Sequence, residues 1–500
     1  MTDVFEASFG LVPVLDTGIA ARIADSALAF SGGRNDSAAF DAWLADARTR
    51  FRAHTEVVPL DRLSGWSVNP VSGDIGHDSG KFFTVRGLDV EVPGAAIERW
   101  SQPIIIQPEV GILGILVKQF DGVLHCLMQA KVEPGNVNGV QLSPTVQATR
   151  SNYTSVHRGK AVPYLEYFRQ TGKHTVIADV RQSEQGAWFH LKRNRNMVVE
   201  VAEDVELLDG FCWLTLGQVN ELLRVDDLIN MDTRTVLGCF PVAGASMSGA
   251  YKTGEDSDFR AALVRSCSTE EPAVHTIGEI LSWITDARTR QDLQVREIPL
   301  KTVRDWHWVD GRISHETGMF FDVVGVRVEA EGREVGRWQQ PMFEPRGEGL
   351  VALFVREFDG VLHALMHARV EAGYLDVLEL APTVQCTPET YDRLAADARP
   401  PFLDAALTAE DIHFDAVHSE EGGRFMHART RYMVVPTNLD ADPVEHPNYR
   451  WMTLHQLGTL LRHSHYLNVQ ARSILACLHS LAGGQAPRDG SLASRYLTRP

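Results

Sequence analysis

Cysteine is scarce in this 500-residue chain. There are six, Cys126, Cys212, Cys239, Cys267, Cys386 and Cys477, and no two form a C-x-x-C pair. This spacing excludes a local zinc ribbon or dithiol motif. The apolar surroundings of most of them predict buried free thiols in a reducing compartment. Positive charge is also in short supply: 48 Lys and Arg against 65 Asp and Glu give a formal charge of −17. Such a balance disfavours non-specific binding to nucleic acid or to an anionic membrane, so an anionic ligand needs a local cationic pocket. No apolar run approaches the length of a bilayer span. Met1 to Gly10 lacks the basic start and apolar stretch of a secretory signal, and the expectation is a cytoplasmic protein. G-x-G-x-x-G, a P-loop, G-x-S-x-G and H-E-x-x-H are all missing. Any chemistry is therefore expected to need neither bound nicotinamide nor a helix-borne zinc, and no cofactor or metal is predicted.

What the chain does contain is a repeat. Phe120-Asp121-Gly122-Val123-Leu124-His125 recurs letter for letter as Phe358-Asp359-Gly360-Val361-Leu362-His363. Pro144-Thr145-Val146-Gln147 recurs as Pro382-Thr383-Val384-Gln385, with the same spacing from the first motif. Apolar runs flank each Asp-Gly, a pair that tolerates the positive φ of a type I′ turn, so a hairpin is predicted twice. Trp43 matches Trp283, Trp66 matches Trp306, and Arg99-Trp100-Ser101-Gln102-Pro103 matches Arg337-Trp338-Gln339-Gln340-Pro341. Gap-free spacing of this length predicts a duplicated domain. At 44% apolar and 23% charged residues, each half can bury its own core. Pro241 to Glu255 is rich in Gly, Ala and Ser without apolar period, as a linker should be. The domains are accordingly 1–240 and 241–500.

Helices are predicted from Asp16 to Phe30, with Asp16 as N-cap, and from Phe40 to Arg50. Thr175 to Val180 and Ile412 to Val417 read as strands, and helical segments begin at Asn152-Tyr153 and at Tyr391. Each half closes on a helix, Thr215 to Leu223 and Thr453 to Leu461, with the threonine as N-cap. Mixed strands and helices without regular βαβ alternation predict an α+β unit used twice, not a Rossmann sheet.

The richest run for chemistry is Lys192-Arg193-Asn194-Arg195-Asn196. On a strand, Lys192, Asn194 and Asn196 share one face, and Arg193 and Arg195 share the other. The arginine fork suits phosphate oxygens; a solvated edge strand kept soluble by charge is the other reading. Glu184 and Glu420 sit shortly before a glycine, and Glu133 and Glu371 follow the hairpins. Each is either a general base raised by burial or a turn residue bonding backbone amides. Thr145, Gln147, Thr383 and Gln385 are candidate hydrogen-bonding partners of a polar ligand, or turn stabilisers. Trp66, Trp100, Trp306 and Trp338 can stack on a base or sugar, or simply fill the core. His363 and His367 have a metal-compatible spacing, but the first copy has His125 and Gln129 there and no third ligand is evident.

Together these blocks resemble the NDP-hexose 2,3-dehydratases of deoxysugar biosynthesis. The resemblance rests on Trp-x-Gln-Pro, Asp-Gly-Val-x-His, Glu133-Pro134-Gly135-Asn136, Pro-Thr-Val-Gln, Ser183-Glu184-Gln185-Gly186 with Lys192 to Asn196, and Ser419-Glu420-Glu421-Gly422-Gly423-Arg424-Phe425. It covers roughly residues 15 to 480. It implies a homodimer of subunits with two Nudix-like α+β domains, each with a nucleotide-sugar pocket, one active and one a relic. The Nudix box R-E-x-x-E-E is absent, in keeping with dehydration and not diphosphate hydrolysis. The implied substrate is a dTDP-linked 4-keto-6-deoxy sugar, whose product would pass to a 3-ketoreductase. The N-terminal pocket is expected to be the working one, because it carries Glu133 to Asn136 and the fuller cationic cluster, where the second copy has Ala372 and Tyr374 in place of Pro134 and Asn136. Glu133 or Glu184 would be the base, and Tyr153, His190 or Lys192 the acid or enolate partner. Lys192, Arg193 and Arg195 would take the diphosphate, with Asn194, Asn196, Gln102, Thr145 and Gln147 beside them and Trp66 or Trp100 stacking on thymine or sugar. Trp306, Trp338, Gln340, Thr383, Gln385, Glu420, Arg429 and Arg431 would line the second pocket. The rival functions are a magnesium-dependent hydrolase of nucleotide sugars and a non-catalytic sugar-nucleotide binder.

Overall fold

A computed structural model describes residues 17–30, 34–149, 162–242, 258–331, 335–439, 446–483 and 496. The predicted N-cap Asp16, Tyr153 and most of the linker lie outside them. The two hairpin turns form where the repeated Asp-Gly stands. Asp121 and Gly122 have φ of 49° and 85°, and Asp359 and Gly360 have 49° and 79°, the conformation a type I′ turn requires. Thr215 and Thr453 cap the helices Leu216–Leu222 and Leu454–Leu461 through full capping boxes, but these do not close the halves, since Met231–Leu237 and Val469–Ser480 follow them. The second predicted helix starts earlier than apolar spacing indicates, at Ser37–Arg50, because Asp36 accepts from the Ala39 N–H.

Each half builds a seven-stranded sheet. In the first, Arg193–Glu200 lies between Thr175–Ser183 and Gly111–Phe120, and Val123–Val132 and Phe211–Thr215 follow. In the second, Arg429–Pro436 lies between Phe414–Ser419 and Gly349–Phe358, with Val361–Val370 beyond. The central contact is parallel in both, Asn194 opposite Gly111 and Thr430 opposite Gly349. The predicted α+β class with two copies of one unit is what the chain adopts.

The outer sheets are built by exchange. Ala53–Val58 from the N-terminal half pairs with Phe321–Ala330 of the C-terminal half, from Ala53 opposite Ala330 to Val58 opposite Gly325. Gln294–Ile298 returns the exchange by pairing with Thr84–Glu91. A loop is exchanged as well. The Gly135 N–H donates to the Gly422 carbonyl at 2.8 Å and the His427 N–H to the Gly135 carbonyl at 3.0 Å. The same clasp recurs with Gly373 on Gly186 at 2.9 Å and Leu191 on Gly373 at 2.8 Å. Gly135 has to be glycine here, since a Cβ would stand 1.8 Å from the Phe425 carbonyl oxygen.

One apolar cluster runs through both halves, from Ile19 and Leu44 through Ile115 and Leu353 to Leu475. At its centre the fully buried Arg234 and Arg472 cross between repeats. Arg234 donates to the Ser419 carbonyl at 3.0 Å and Arg472 to the Ser183 carbonyl at 2.6 Å. The start of each Ser-Glu loop is thus tied to the other repeat through a buried arginine.

Candidate active site

The strand Val123–Val132 and the turn after it carry Lys131 and Glu133 to one end of the first large sheet. Val146–Ala148, paired antiparallel with Gly111–Phe120, brings Gln147 beside them. Gln147 Nε2 donates to Glu133 Oε1 at 2.8 Å, Lys131 Nζ lies 3.7 Å from the same oxygen, and Asn230 Nδ2 donates to Gln147 Oε1 at 3.2 Å. Lys131, Glu133 and Gln147 face a cavity of about 260 Å³. Lys192, Asn194 and Asp232 close one side of it, and Trp66, His77, Phe82 and Phe83 form an aromatic wall. The C-terminal half contributes Trp338, Gln339, Gln340, Glu421, Gly423 and Arg424 to the wall. Gln340 Nε2 donates to the Gly423 carbonyl at 2.7 Å, and Trp66 Nε1 to the Gln339 carbonyl at 2.7 Å. Arg424 lies 4.4 Å over the Phe83 ring and donates to Gln107 Oε1 at 3.2 Å. Three carboxyl groups and three cations thus meet in a space walled by aromatics. Such a site can move protons and bind an anionic, ring-bearing ligand.

A family model for NDP-hexose 2,3-dehydratase matches residues 37–240 and again 277–478. The chain belongs to that family. It is 49% identical over 483 residues to the dTDP-4-dehydro-6-deoxy-alpha-D-glucopyranose 2,3-dehydratase of Saccharopolyspora spinosa, covering 96% of this chain and 99% of that protein. It is 47% identical to the proteins of the same name from Amycolatopsis orientalis and Streptomyces violaceoruber. Those alignments cover 94% and 91% of this chain and 95% and 99% of the relatives. The family match falls once on each repeat.

In this member of the NDP-hexose 2,3-dehydratases, burial governs the electrostatics of the cavity. Burial pushes the Asp232 carboxyl well above the usual range, and Glu421, Glu184 and Glu133 push it further. Glu421 is raised to about 7, chiefly by burial and by Glu184 and Glu133, against the pull of Arg424 and Lys192. Burial lowers the Lys192 ammonium, with Glu421 and Glu184 opposing. Glu184 is raised by burial in the same way. Neutral forms of acids and amine are favoured together, as expected where charges cannot be hydrated.

Of the residues singled out from sequence, Trp66, Glu133, Gln147, Lys192 and Asn194 line the cavity. Strand alternation holds at 193–196, with Asn194 and Asn196 buried and both arginines part-exposed. That alternation takes Arg193 and Arg195 away from the cavity. Arg195 pairs with Asp179 on the outer side, and neither arginine is in the wall. Glu184 stands behind the wall, accepting from Asn194 Nδ2 at 2.7 Å. Asn196 is fully buried on the same face. Thr145 Oγ1 donates to the Leu127 carbonyl and accepts from the Leu116 N–H, bonding two paired strand residues and neither a ligand nor its own turn. His190 is directed toward Glu297 of the other half, at 3.8 Å. Trp100 and Gln102 bond each other at 2.9 Å, and Gln102 bonds the Ala187 carbonyl. Strand exchange puts their counterparts Trp338 and Gln340 into the first cavity, correcting the expectation that those two serve the second pocket.

The other second-pocket candidates are tied into structure. Trp306 Nε1 donates to the Ser101 carbonyl, and Thr383 Oγ1 to the Leu365 carbonyl. Arg429 pairs with Asp227 and Arg431 with Asp415. Glu420 accepts from Tyr432 and Gln185. Gln385 bonds Glu371, which also pairs with Arg369, and Tyr374 stands where the first copy has Asn136, its hydroxyl accepting from Asn468 at 3.0 Å. His367 is stacked on Tyr449 at 4.5 Å, and His363 accepts from the Val274 N–H. Asp232 lies in no motif read from the sequence, and Arg424 entered only as one letter of the Ser419 to Phe425 block, with no role given to its side chain. Comparing the two copies for unmatched charges would have found both.

Proposed function

We propose that this chain removes water across C2–C3 of a dTDP-4-keto-6-deoxyhexose, giving a dTDP-3,4-diketo-2,6-dideoxyhexose. The observation that carries the reading is 49% identity, across 96% of the chain, to a protein named for that reaction on the dTDP-4-dehydro-6-deoxy sugar. The cavity chemistry supports it. The 4-ketone acidifies the C3 proton, and Glu133, fixed by Gln147 and flanked by Lys131, is the base. Lys192 donates to the enolate oxygen as charge develops there. The enolate collapses, the C2 hydroxyl leaves as water once protonated, and tautomerisation yields the diketone. Substrate and product differ by water alone, so no external oxidant or reductant enters. Lys131 and Arg424 suit the diphosphate, and Trp66 and Trp338 the thymine or sugar face.

The family resemblance also motivates four structural and cellular proposals: repeats 1–240 and 241–500 of Nudix-like ancestry, a homodimer, a cytoplasmic location, and delivery of the product to a 3-ketoreductase. Among the described residues no helix is long and apolar enough to cross a membrane.

Incubation with dTDP-4-keto-6-deoxyglucose, followed by mass spectrometry with and without EDTA, tests the reading. The nucleotide sugar should lose the mass of one water in both. Release of dTMP that EDTA abolishes would mean hydrolysis instead.

A further inference from the structure

The two copies can be laid on each other residue by residue, so the cavity can be read by subtraction. Glu133, Gln147 and Asn230 form a hydrogen-bonded chain that Glu371, Gln385 and Asn468 repeat. Four charged positions of the cavity wall are not repeated. Lys192 corresponds to Ala428, Asp232 to Gln470, Glu421 to Gln185 and Arg424 to Trp188. The register is anchored by equivalent backbone bonds. The Glu184 and Glu420 N–H groups donate to the carbonyls of Lys192 and Ala428, and Phe189 and Phe425 to those of Gln185 and Glu421. Shared groups build the pocket, while the unshared charges set this cavity apart.

Glu421 has the geometry of a reacting group. Its Oε2 is closed off from solvent and has no hydrogen-bond partner. Its Oε1 and Glu133 Oε1 converge on Gly423, where an added methyl carbon would lie 3.5 Å from the first and 3.7 Å from the second. Two carboxyl groups from different halves therefore border the same part of the cavity beside Gly423. Dehydration removes a proton at C3 and delivers one to the hydroxyl on the adjacent carbon, which calls for two proton-transferring groups facing one bound sugar.

We propose that Glu421, contributed by the C-terminal half, is the proton donor to the departing C2 hydroxyl; this inference rests on the dehydratase reading above. The Glu421 O–H bond breaks as the C2–O bond breaks, and the proton leaves with the hydroxyl as water. The electron pair of the C3–H bond, held in the enolate, becomes the C2–C3 double bond. Glu421 is left as a carboxylate and Glu133 as the acid. Burial and the facing Glu184, Glu133 and Asp232 favour the protonated donor, while Arg424 and Lys192 favour the carboxylate it becomes. The balance, at about 7, keeps a donor present at neutral pH.

The test uses full-length enzyme carrying Glu421→Gln, the residue the other copy has at this position. Wild type must first show water loss; without it the dehydratase reading fails and the donor assignment with it. Given turnover, E421Q should lose about 10²–10⁴-fold in kcat, with KM within about threefold. It should still exchange the C3 proton of the substrate with D2O, because Glu133 is intact. The fall in wild-type kcat above pH 7 should be missing from its profile. Unchanged turnover would overturn the proposal. So would loss of C3 exchange together with dehydration in a variant that melts like wild type, since Glu421 would then act before the enolate.

Discussion

Lys192 and Ala428 occupy one position in two copies of the same fold, each offering its carbonyl to the N–H of the glutamate at the start of its loop. The ammonium that reaches the cavity thus has only a methyl as its counterpart. If Lys192 stabilises the enolate oxygen, Lys192→Ala should lower kcat by about 10²–10³-fold, the usual cost of one such donor. Because the lost group is a buried cation that burial already disfavours, the melting temperature should not fall with it. Steady-state kinetics and a melt on the same preparation check both.

Charge on the strand and charge in the cavity make different predictions. Arg195 spends its guanidinium on part-exposed Asp179, and Arg193 is outside the cavity wall. Arg193→Ala and Arg195→Ala should leave KM within about twofold, with Arg195→Ala costing at most about 1 kcal/mol of stability. Arg424→Ala should raise KM for the nucleotide sugar by roughly 1.5–3 kcal/mol of binding, the range for a hydrogen bond to a charged group. Initial rates across substrate concentration separate the three.

The clasp between halves is tested at glycine. Gly135→Ala places a methyl against the Phe425 carbonyl and should destabilise the protein by about 1–3 kcal/mol or more. Gly172→Ala, where a Cβ meets nothing within 4 Å, should stay within about 0.5 kcal/mol. Urea denaturation of the two variants gives the comparison.

The acid held at about 7 has a stability signature. A carboxyl whose folded pKa exceeds its unfolded value binds more protons folded than unfolded between the two. Its contribution to stability is therefore greatest below about 4.3, the ordinary Glu value, and is lost as pH rises to about 7. Glu421→Gln removes the titration. The variant should gain stability relative to wild type from about pH 4 to pH 7, and the difference should level off above that. Equal pH dependence in both proteins would mean that Glu421 ionises freely.

Much of this fold was legible in one copy of the repeat read against the other. The Asp-Gly turns, the caps at Thr215 and Thr453 and the two-faced strand at Arg193–Glu200 follow from local rules that need no partner. The exchanges were not legible. Local spacing cannot say whether Trp338 packs on its own half or on the other, because both halves offer the same receiving surface. For the same reason Glu421 read as one letter of a motif in the second copy, although its side chain serves the first. Arg193 and Arg195 misled because cationic density in the sequence says nothing about which strand face meets the cavity. Asp232 sits at the start of a short helix, and only its mismatch with Gln470 sets it apart.

The most direct test of the account compares turnover of Glu133→Gln and Glu371→Gln, two equivalent positions, per mole of folded protein and with dTDP-4-keto-6-deoxyglucose as substrate. If the cavity shared by Glu133, Lys192 and Glu421 does the chemistry, Glu133→Gln should lose at least about 10²-fold in kcat while Glu371→Gln stays within a few-fold of wild type. Equal losses, or the larger loss at Glu371, would contradict it.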